Sequence, residues 1–348
     1  MQQALSEFYK SKRILITGAA GTVGRELVRQ LAPLSDIELR LLDNNESEVF
    51  FLAEEYKDKN VHCFLGDVRD REKLQKLSEG LDIILHCAAF KHVILSEYNP
   101  FDVVQTNIIG VENVIRAAIA CRVKNVIFTS SDKAVNPTNV MGTSKLMGER
   151  LITAANATWV GNNTIFSSTR FGNVLGSRGS VVGVFRNQIK KGGPVTLTDQ
   201  GMTRFIMTVR EAAELVLKSA LISRGGEVFV IKMPVIRIPD LAEVMIEILA
   251  PKYGYKSSDI SIQEIGAKPG EKLYEELISQ EEVGRSVELT DMFAVVPAFK
   301  AIYQDIKYEY PDIVSRCVTK TYISATEPPM NKGDLKQYLL KQCVLEED

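Results

Sequence analysis

The chain has few of the residues that form disulfides or bind metal ions, and it has no long apolar run that could cross a membrane. Its 348 residues include five cysteines, an odd number, widely spaced and without a C-x-x-C pair, so we expect reduced structural thiols. Three histidines without ligand spacing predict no metal site. No apolar run approaches the roughly 18 residues that span a bilayer, and the polar residues 1–13 are unlike a secretory signal. We therefore expect a cytoplasmic protein with no membrane segment.

An excess of basic charge is absent as well. The chain has 42 Lys and Arg against 44 Asp and Glu, a formal net charge of -2. Nucleic acid is therefore not expected as a partner, because such binding depends on counterion release by clustered cations. The hydrophobic fraction of 45% is enough to bury a large core. The composition thus indicates a globular protein that does not bind a polyanion such as DNA.

Short β-branched runs alternate with amphipathic segments in the first half of the chain. The predicted strands are Arg13–Thr17, Ile37–Leu42, His62–Leu65, Ile83–Cys87 and Val126–Thr129. This alternation predicts an α/β fold, a doubly wound parallel sheet of the Rossmann type with helices on both faces. Beyond about Asn173, glycines punctuate shorter elements, so we expect a nucleotide-binding domain over 1–175 and a smaller substrate-binding lobe over 176–348. A strand near 226–232 is expected to return to the main sheet, and Ile238–Leu249 to form a helix.

A glycine pattern lies between the first strand and the first helix, predicted over Arg25–Leu31. Gly18, Gly21 and Gly24 have G-x-x-G-x-x-G spacing. Glycines allow a tight turn and a close approach to a pyrophosphate, and the helix N-terminus favours the anion. A plain turn also uses glycine, but the position after the first strand favours a dinucleotide site.

An acidic residue follows the second predicted strand, about 20 residues after the glycines. Asp43 suits the ribose hydroxyls of a dinucleotide, whereas a 2′-phosphate would be repelled, so NAD is favoured over NADP. Taken alone, Asp43 is equally a surface turn residue. Asp67 ends a later strand and can accept a hydrogen bond from the adenine amine.

The segment after the strand Val126–Thr129 carries polar residues suited to acid–base chemistry. Ser131, Asp132 and Lys133 adjoin its end, and Lys145 follows on a helix predicted from Met141 onwards. Many nucleotide-dependent oxidoreductases have Tyr four residues before this Lys, where this chain has Met141. Lys145 can contact the nicotinamide ribose and lower nearby pKa values by its charge. A polar loop that caps a helix is the alternative, and Ser130 alone fits it. The one Y-x-x-x-K of the chain, Tyr303 to Lys307, is interpreted as a surface helix turn.

Five segments carry a resemblance to a known family. They are Ser131–Lys145, Ala88–Val93, Arg170–Ser180, Met202–Phe205 and Lys268–Leu277. Together they resemble the UDP-N-acetylglucosamine 4,6-dehydratases of polysaccharide biosynthesis, which belong to the extended short-chain dehydrogenase/reductases. The resemblance covers about residues 12–295. Family members have either Tyr or Met at position 141, so Met141 marks a subgroup. Ser131 stands where many relatives have Thr, and Lys268 where they often have Arg.

The resemblance implies an internal redox cycle in which NAD oxidises sugar C4, water leaves across C5 and C6, and C6 is reduced. Asp132 is then the candidate acid for the C6 hydroxyl and Lys133 the candidate C5 base. These roles require a protonated Asp132 and a neutral Lys133; burial favours both, whereas a direct ion pair opposes both. Ser131, or a water held by Lys145, is left to accept the C4 hydroxyl proton that Tyr would take.

The resemblance also implies binding residues. The expected cofactor contacts are Thr17, Gly18, Gly21, Thr22, Val23, Gly24, Asp43, Asp67, Val68, Ala88, Ala89, Lys91, Asn107 and Lys145. The expected substrate contacts are Lys91, His92, Asn173, Ser180, Arg204 and Glu271. Isolated cations such as Lys91 and Arg204 more often lie on solvated faces, and His92 is alternatively a core histidine.

Two other functions share these features. An NAD-dependent C4 epimerase of nucleotide sugars needs the same cofactor but no acid for C6, so the adjacent Asp132 and Lys133 favour dehydration. A dinucleotide sensor without catalysis would explain the missing Tyr, but the presence of Asp132, Lys133 and Lys145 together argues against it. The expected partner is a nucleotide sugar, with UDP as the expected nucleotide, and a homo-oligomer is expected by analogy with the superfamily.

Overall fold

The first strand and the helix after it are built around the glycine turn. In the computed structural model a short helix, α1, spans Gln2–Tyr9 and precedes β1 at Arg13–Thr17, and α2 spans Thr22–Leu31. Leu27 and Leu31 are both buried, because residues four apart share one helix face. The structure describes residues 2–158, 163–177, 179–266, 269–299, 301–302 and 305–345. Arg178, Lys268 and Tyr303 therefore lie outside the described residues.

Sixteen further strands are described. In chain order they are β2 (Glu38–Asp43), β3 (Val61–Leu65), β4 (Ile83–His86), β5 (Asn125–Ser131), β6 (Ile165–Phe171), β7 (Asn173–Val174), β8 (Val195–Leu197), β9 (Thr203–Met207), β10 (Val228–Ile231), β11 (Val235–Arg237), β12 (Ile262–Glu264), β13 (Glu276–Ile278), β14 (Ser286–Leu289), β15 (Met292–Val295), β16 (Ile313–Ser315) and β17 (Tyr322–Ile323).

The remaining α-helices follow the same order. They are α3 (Glu46–Glu55), α4 (Arg71–Ser78), α5 (Val93–Tyr98), α6 (Pro100–Val103), α7 (Gly110–Ala120), α8 (Val140–Thr158), α9 (Val181–Lys190), α10 (Val209–Ile222), α11 (Ile238–Leu249), α12 (Gln280–Val283) and α13 (Lys332–Lys341). A π-helix, Val104–Ile109, joins α6 to α7, and a 3₁₀ turn, Asp132–Ala134, follows β5.

Ten strands form one sheet, in the order β16-β14-β15-β10-β6-β5-β4-β1-β2-β3. The seven from β10 to β3 are parallel to one another, and β15, β14 and β16 extend the sheet in antiparallel fashion. β1 pairs with β2 on one side and with β4 on the other, so the strand order reverses there. In open α/β sheets, ligands bind beyond the carboxyl ends of the strands at such a point. The predicted α/β Rossmann-type fold is confirmed.

The chain divides into two compact units. The first comprises Met1–Phe171, Ala212–Lys232 and Ser279–Lys320, and the second Gly172–Glu211, Met233–Ile278 and Thr321–Asp348. The first contains the large sheet. The second contains the sheets β11-β9-β7, β12-β8 and β13-β17 and a core that includes Phe185, Leu241 and Leu335.

The predicted boundary near residue 175 assigns nearly all later residues to the second lobe, whereas the first unit also includes residues 212–232 and 279–320. β10 lies beside β6, in the place predicted for a strand near 226–232. The antiparallel strands β14 to β16, which the sequence did not predict, bring residues 279–320 into the first unit too. Short strands on a sheet margin carry weak sequence patterns, because their pairing is specified by neighbours far away in the chain.

Candidate active site

The glycine turn has no room for side chains. Gly18 has a φ of 68°, and a Cβ atom there would lie 2.6 Å from the backbone nitrogen of Ala88. A Cβ on Gly24 would lie 2.2 Å from the carbonyl oxygen of Gly18. Gly21 precedes α2, whose first residues are Thr22 and Val23. The first N–H groups of a helix lack intrahelical acceptors. The turn therefore exposes backbone without side chains next to the first N–H groups of α2, and these groups suit a dinucleotide pyrophosphate.

Asp43 is attached to the glycine turn. One carboxylate oxygen accepts from the backbone N–H of Ala20 at 2.9 Å, and the other accepts from the N–H of Asn45 at 3.0 Å. Each carboxylate oxygen has two acceptor positions, so both retain capacity for a ribose hydroxyl. The carboxylate thus has a fixed orientation at the end of β2, where a dinucleotide ribose is expected.

Asp67 is engaged by an arginine that the sequence analysis did not consider. Arg69 donates to both carboxylate oxygens, at 3.0 and 2.8 Å. These side-chain hydrogen bonds hold the pKa of Asp67 below its usual range, against the effect of burial. Val68, between them, has a buried side chain, and its carbonyl accepts from Asn113 at 3.1 Å. Contact of Asp67 with the adenine amine and contact of Val68 with the cofactor both stay predictions.

Thr17 supports the site from within the sheet. Its hydroxyl is buried and shares a 2.6 Å hydrogen bond with Nδ1 of His86 on β4. Burial, with a smaller effect from the charge of Lys145, lowers the pKa of His86 to about 3, so its imidazole is neutral. The Thr17 hydroxyl is thus engaged with His86, and the predicted contact of Thr17 with the cofactor stays a prediction. Ala88 and Ala89 follow β4 and are half-buried.

Asn107, in the π-helix, holds two parts of the site together. Its amide accepts from the N–H of Phe90 at 2.8 Å and donates to the carbonyl of Phe90 at 3.0 Å. It also donates to the Ser144 hydroxyl at 2.9 Å, and Ser144 donates to the carbonyl of Met141 at 2.7 Å. Asn107 is 1% exposed and positions the residues around it, and its predicted contact with the cofactor stays a prediction. π-Helical turns often mark functional sites, but nothing in the sequence shows the turn itself.

The acid–base residues adjoin the end of β5. Asp132 is fully buried, and its Oδ1 accepts from the Ser131 hydroxyl at 2.6 Å and from Lys133 Nζ at 3.0 Å. Oδ2 is also buried and has no hydrogen-bond partner among the described residues. An unpartnered buried carboxyl oxygen is costly in a structural role. This arrangement favours a site in which that oxygen bonds to a ligand.

Lys145 lies behind these residues on α8. It is 6% exposed, its ammonium donates to the carbonyl of Thr129 at 2.8 Å, and it lies 4.8 Å from the Phe128 ring centroid. Burial lowers the pKa of Lys145 to about 8, against the opposing effects of Cys87 and Glu149. Met141, on the first turn of α8, is buried at the position predicted for the missing Tyr. The structure thus brings Ser131, Asp132, Met141 and Lys145 to one end of the first unit's sheet.

Lys91 and His92 follow β4 on the surface of the first unit. Both residues are exposed, and His92 is the N-cap residue of α5. The alternative of His92 as a core histidine is therefore wrong. Both side chains are accessible to a ligand, and their contacts with a nucleotide sugar stay predictions.

The other predicted substrate contacts belong to the second unit. Asn173 is half-buried in β7, and Ser180 is the N-cap residue of α9. Arg204 is 6% exposed, and its guanidinium donates to the carbonyls of Thr203, Lys272 and Leu273 at 2.7–3.0 Å. It lies 3.9 Å from Glu271 as well. The expectation of Arg204 on a solvated face is wrong; it fixes the segment near Glu271, and a direct contact with the nucleotide stays a prediction.

Residues 14–297 match the polysaccharide biosynthesis protein family. The chain belongs to this family. An uncharacterised membrane protein of Methanocaldococcus jannaschii is 53% identical over 85% of this chain and 89% of its own length. The UDP-N-acetylglucosamine 4,6-dehydratase (inverting) of Campylobacter jejuni is 36% identical over 85% of this chain and 86% of its own. The UDP-glucose 4-epimerase of Rickettsia massiliae is 33% identical over 98% of both chains.

Solved structures share the fold of this chain. Pen from Bacillus thuringiensis is 42% identical, with a TM-score of 0.90 over 97% of this chain and all of its own. The dTDP-glucose 4,6-dehydratase DesIV of Streptomyces venezuelae, solved with NAD, has the same fold at 23% identity, with a TM-score of 0.65 over 75% of this chain and 86% of its own. The expectation of an NAD cofactor agrees with these structures. The chain spans 47% of the length of two longer relatives, from Bacillus subtilis and Staphylococcus aureus.

Two predicted absences concern the described part of the chain. Among its His, Cys, Asp and Glu residues no group of three or more is arranged to hold a metal ion. Within those same ranges no helix has both the length and the apolar character to cross a bilayer. All five cysteines are free thiols.

Proposed function

We propose that this protein is an NAD-dependent nucleotide-sugar 4,6-dehydratase that converts UDP-N-acetylglucosamine to a UDP-4-keto-6-deoxy-N-acetylhexosamine. The observation that carries the proposal is the buried carboxyl of Asp132, whose Oδ2 has no partner among the described residues while its Oδ1 contacts Lys133 and Ser131. The substrate is supported by the sequence motifs and by the 36% identical dehydratase relative.

The residues at the switch point fit a dinucleotide. The bare backbone of the glycine turn supports a pyrophosphate site, the fixed carboxylate of Asp43 supports a contact with the ribose nearer the adenine, and Lys145 is our candidate for the second ribose. Bound NAD supplies the reversible oxidation and reduction, at C4 first and then at C6. The carboxylate of Asp43 would repel a 2′-phosphate, which favours NAD over NADP.

Asp132 and Lys133 hold the protons that the elimination needs. Their 3.0 Å ion pair contains the same number of protons as a neutral carboxylic acid beside a neutral amine. The ion pair itself favours the two charged forms, so the reactive pair requires the transfer of one proton from Lys133 to Asp132, which needs no exchange with solvent. Lys133 then takes the C5 proton, and Asp132 gives its proton to the departing C6 hydroxyl.

The C4 hydroxyl needs a different proton acceptor, because the thioether of Met141 is not a base. The Ser131 hydroxyl donates to Asp132 at 2.6 Å, so the C4 proton can pass through Ser131 to that carboxylate in place of the Lys133 proton, which then leaves to solvent before Lys133 acts as the C5 base. Lys145 is a second route, since its pKa of about 8 leaves part of the population neutral near neutral pH. Only the Lys145 route keeps the C4 proton apart from the Asp132 and Lys133 pair.

The alternative function is that of a C4 epimerase. It is supported by the 33% identical UDP-glucose 4-epimerase, which matches almost the whole chain. Epimerisation at C4 needs no acid aimed at C6 and no base at C5. The buried Asp132 beside Lys133 therefore supports dehydration as the first choice. The two reactions also differ in product mass, because only dehydration removes a water.

The deciding experiment is incubation of the purified protein with UDP-N-acetylglucosamine in deuterated water, followed by mass spectrometry and proton NMR. A product lighter by one water and carrying deuterium at C5 is expected. An isomer of unchanged mass would establish the epimerase instead. Unchanged sugar in the presence of bound NAD would contradict both and support the sensor.

A further inference from the structure

The carboxylate of Asp67, just after β3, is engaged by two neighbouring residues. Oδ1 accepts from the backbone N–H of Arg69 at 2.9 Å and from its Nε at 3.0 Å. Oδ2 accepts from a terminal guanidinium nitrogen of Arg69 at 2.8 Å and from the side-chain amide of Asn44 at 3.3 Å. A carboxylate has about four acceptor positions. Arg69 therefore occupies three of them, and Asn44 occupies the fourth.

The backbone that carries Asp67 and Arg69 is fixed as well. Asn113, on α7, is 7% exposed and donates to the carbonyls of Val68 at 3.1 Å and Arg69 at 3.2 Å. The N–H of Asp70 donates to the carbonyl of Asp67 at 3.0 Å, which closes a turn. Because both the backbone and the guanidinium are held, the carboxylate has little freedom to rotate. Asp67 thus has a fixed orientation before any ligand binds.

The turn at Asp67 is joined to the predicted ribose site. The N–H of Gly66 donates to the carbonyl of Asp43 at 2.9 Å. Asn44, next to Asp43 in the chain, is exposed and makes the longest of the four hydrogen bonds to Asp67. Its amide can return to water when another donor takes its position, so the exchange costs little. One acceptor position of Asp67 is therefore available to a ligand that lies beside the ribose.

An adenine base has the donor that this position requires. Its 6-amino group donates hydrogen bonds, whereas hypoxanthine has a keto oxygen there and carries an N–H on the adjacent ring nitrogen, N1. A mobile carboxylate could turn from the amino group to the N1–H and so bind both bases. A carboxylate held by both prongs of a guanidinium cannot turn in this way, and it repels the keto oxygen. The hydrogen bonds from Arg69 also hold the pKa of Asp67 below its usual range, so the group accepts and does not donate.

We propose that Arg69 is a positioning residue of the cofactor site that makes this site selective for adenine. It holds the Asp67 carboxylate so that the one exchangeable acceptor position is left for the 6-amino group of NAD. The inference rests on the proposed contact of Asp67 with adenine and explains how that contact would choose between bases. Arg69 itself needs no contact with the cofactor.

A purely structural role of Arg69 predicts a different result. If Arg69 only braced the turn between β3 and α4, its loss would weaken the binding of every dinucleotide to the same extent. A positioning role changes the ratio between two dinucleotides that differ only in the base. This ratio is the quantity to measure, because a general loss of affinity or stability cancels from it.

The test is a competition between NAD and nicotinamide hypoxanthine dinucleotide for the full-length protein. The purified protein is equilibrated with a large equimolar excess of both, and the bound nucleotides are then released and quantified by mass spectrometry. We expect the unchanged protein to prefer NAD by about 10–100-fold, the factor that one hydrogen bond to a charged group provides. In Arg69→Leu this preference should fall by at least about fivefold.

The matched control is Asp70→Ala. Asp70 lies on the same turn and caps α4, where its carboxylate accepts from the N–H of Lys73 at 3.0 Å. The preference of this variant for NAD should equal that of the unchanged protein. An unaltered preference in Arg69→Leu, or an equal fall in Asp70→Ala, would overturn the proposal.

A second variant covers the case in which Arg69→Leu does not fold. Arg69→Lys keeps the positive charge but not the planar fork that holds both oxygens, so the preference should fall here too. An undiminished preference in Arg69→Lys would refute the positioning role. Equal binding of the two dinucleotides by the unchanged protein would refute the contact of Asp67 with adenine, and the proposal with it. None of these assays contains a nucleotide sugar, so a failure of the dehydratase proposal would leave their outcome unaffected.

Discussion

A Cβ atom on Gly142 would lie 2.3 Å from the carbonyl oxygen of Lys133. The first turn of α8 and the turn that carries Asp132 and Lys133 therefore meet backbone to backbone. This contact determines how far the acid–base pair lies from the helix that bears Lys145.

Gly142→Ala should consequently disturb the site more than the fold. The added methyl group must push the turn at Lys133 away or displace the start of α8, at a cost of about 1–3 kcal/mol. We expect at least a tenfold loss of kcat in the dehydratase assay. The control is Gly183→Ala, also within a helix, where a Cβ meets no described heavy atom within 4 Å outside its own helix turn and its neighbours. Equal activity of the two variants would contradict this account.

Asn107→Leu should release the loop at Phe90 from α8. It removes three hydrogen bonds and leaves the N–H and carbonyl of Phe90 without their partner, which should cost about 2–4 kcal/mol. Ser144→Ala removes one of the three and is the matched comparison. We expect calorimetric titration with NAD to show a much larger loss of affinity in Asn107→Leu. Similar losses in both variants would mean that the contact with Ser144, not the hold on Phe90, is decisive.

Asp132→Asn should separate the two proton transfers. The amide has no proton to give to the C6 hydroxyl, so product formation should fall about 10²–10⁴-fold. Lys133 is retained in this variant and has to lose its proton to solvent instead of to Asp132, so the recovered sugar should still exchange its C5 hydrogen in deuterated water, but more slowly than with the unchanged protein. Lys133→Met should abolish both signals. If Asp132→Asn blocks C5 exchange as completely as Lys133→Met does, the assignment of separate roles is wrong.

Glu227 should make the stability of the protein depend on pH. It is fully buried, accepts from the N–H of Gly225 at 2.5 Å, and faces Arg224, Tyr308 and Tyr310. Burial raises its pKa from 4.5 to about 7, despite the opposing hydrogen bonds and the charge of Arg224. The folded state therefore binds an extra proton between these values, and the stability that this proton provides is lost as pH rises to about 7. The effect should total about 3 kcal/mol.

The measurement for Glu227 is urea unfolding at pH 5 and pH 7.5, in the unchanged protein and in Glu227→Gln. His86 has the opposite effect, since its lowered pKa makes stability rise with pH between about 3 and 6.5. The difference between the two proteins isolates Glu227. It should favour the unchanged protein more at pH 5 than at pH 7.5, and a constant difference would count against the raised pKa.

Much of the first unit could be predicted from local pattern. In the first unit the strands Arg13–Thr17 and Val228–Ile231 lie where the sequence indicated, as does the helix Ile238–Leu249 in the second unit. The glycine turn and Asp43 also adjoin each other as expected. These features depend on the period of apolar residues and on the special geometry of glycine, which a short window of sequence contains.

The supporting residues were not predictable in the same way. Arg170 lies in one of the segments that carry the family resemblance. Its buried ion pair, however, depends on Glu282, which comes 112 residues later in the chain. A charged residue in a strand looks like a solvated side chain until both partners are known. The predicted homo-oligomer and the contacts with UDP stay predictions.

The return of the chain to its first sheet affects how the protein is made on the ribosome. β6 is completed at Phe171, but its neighbour β10 begins only at Val228. The partner of Arg170 on α12 arrives later still, 112 residues after it. At a synthesis rate of about 5–20 residues per second, β6 lacks its neighbour β10 for several seconds, and Arg170 lacks Glu282 for roughly 6–20 seconds. A nascent chain stalled in this interval should be a substrate for chaperones that bind unpaired strands, whereas the completed protein should not.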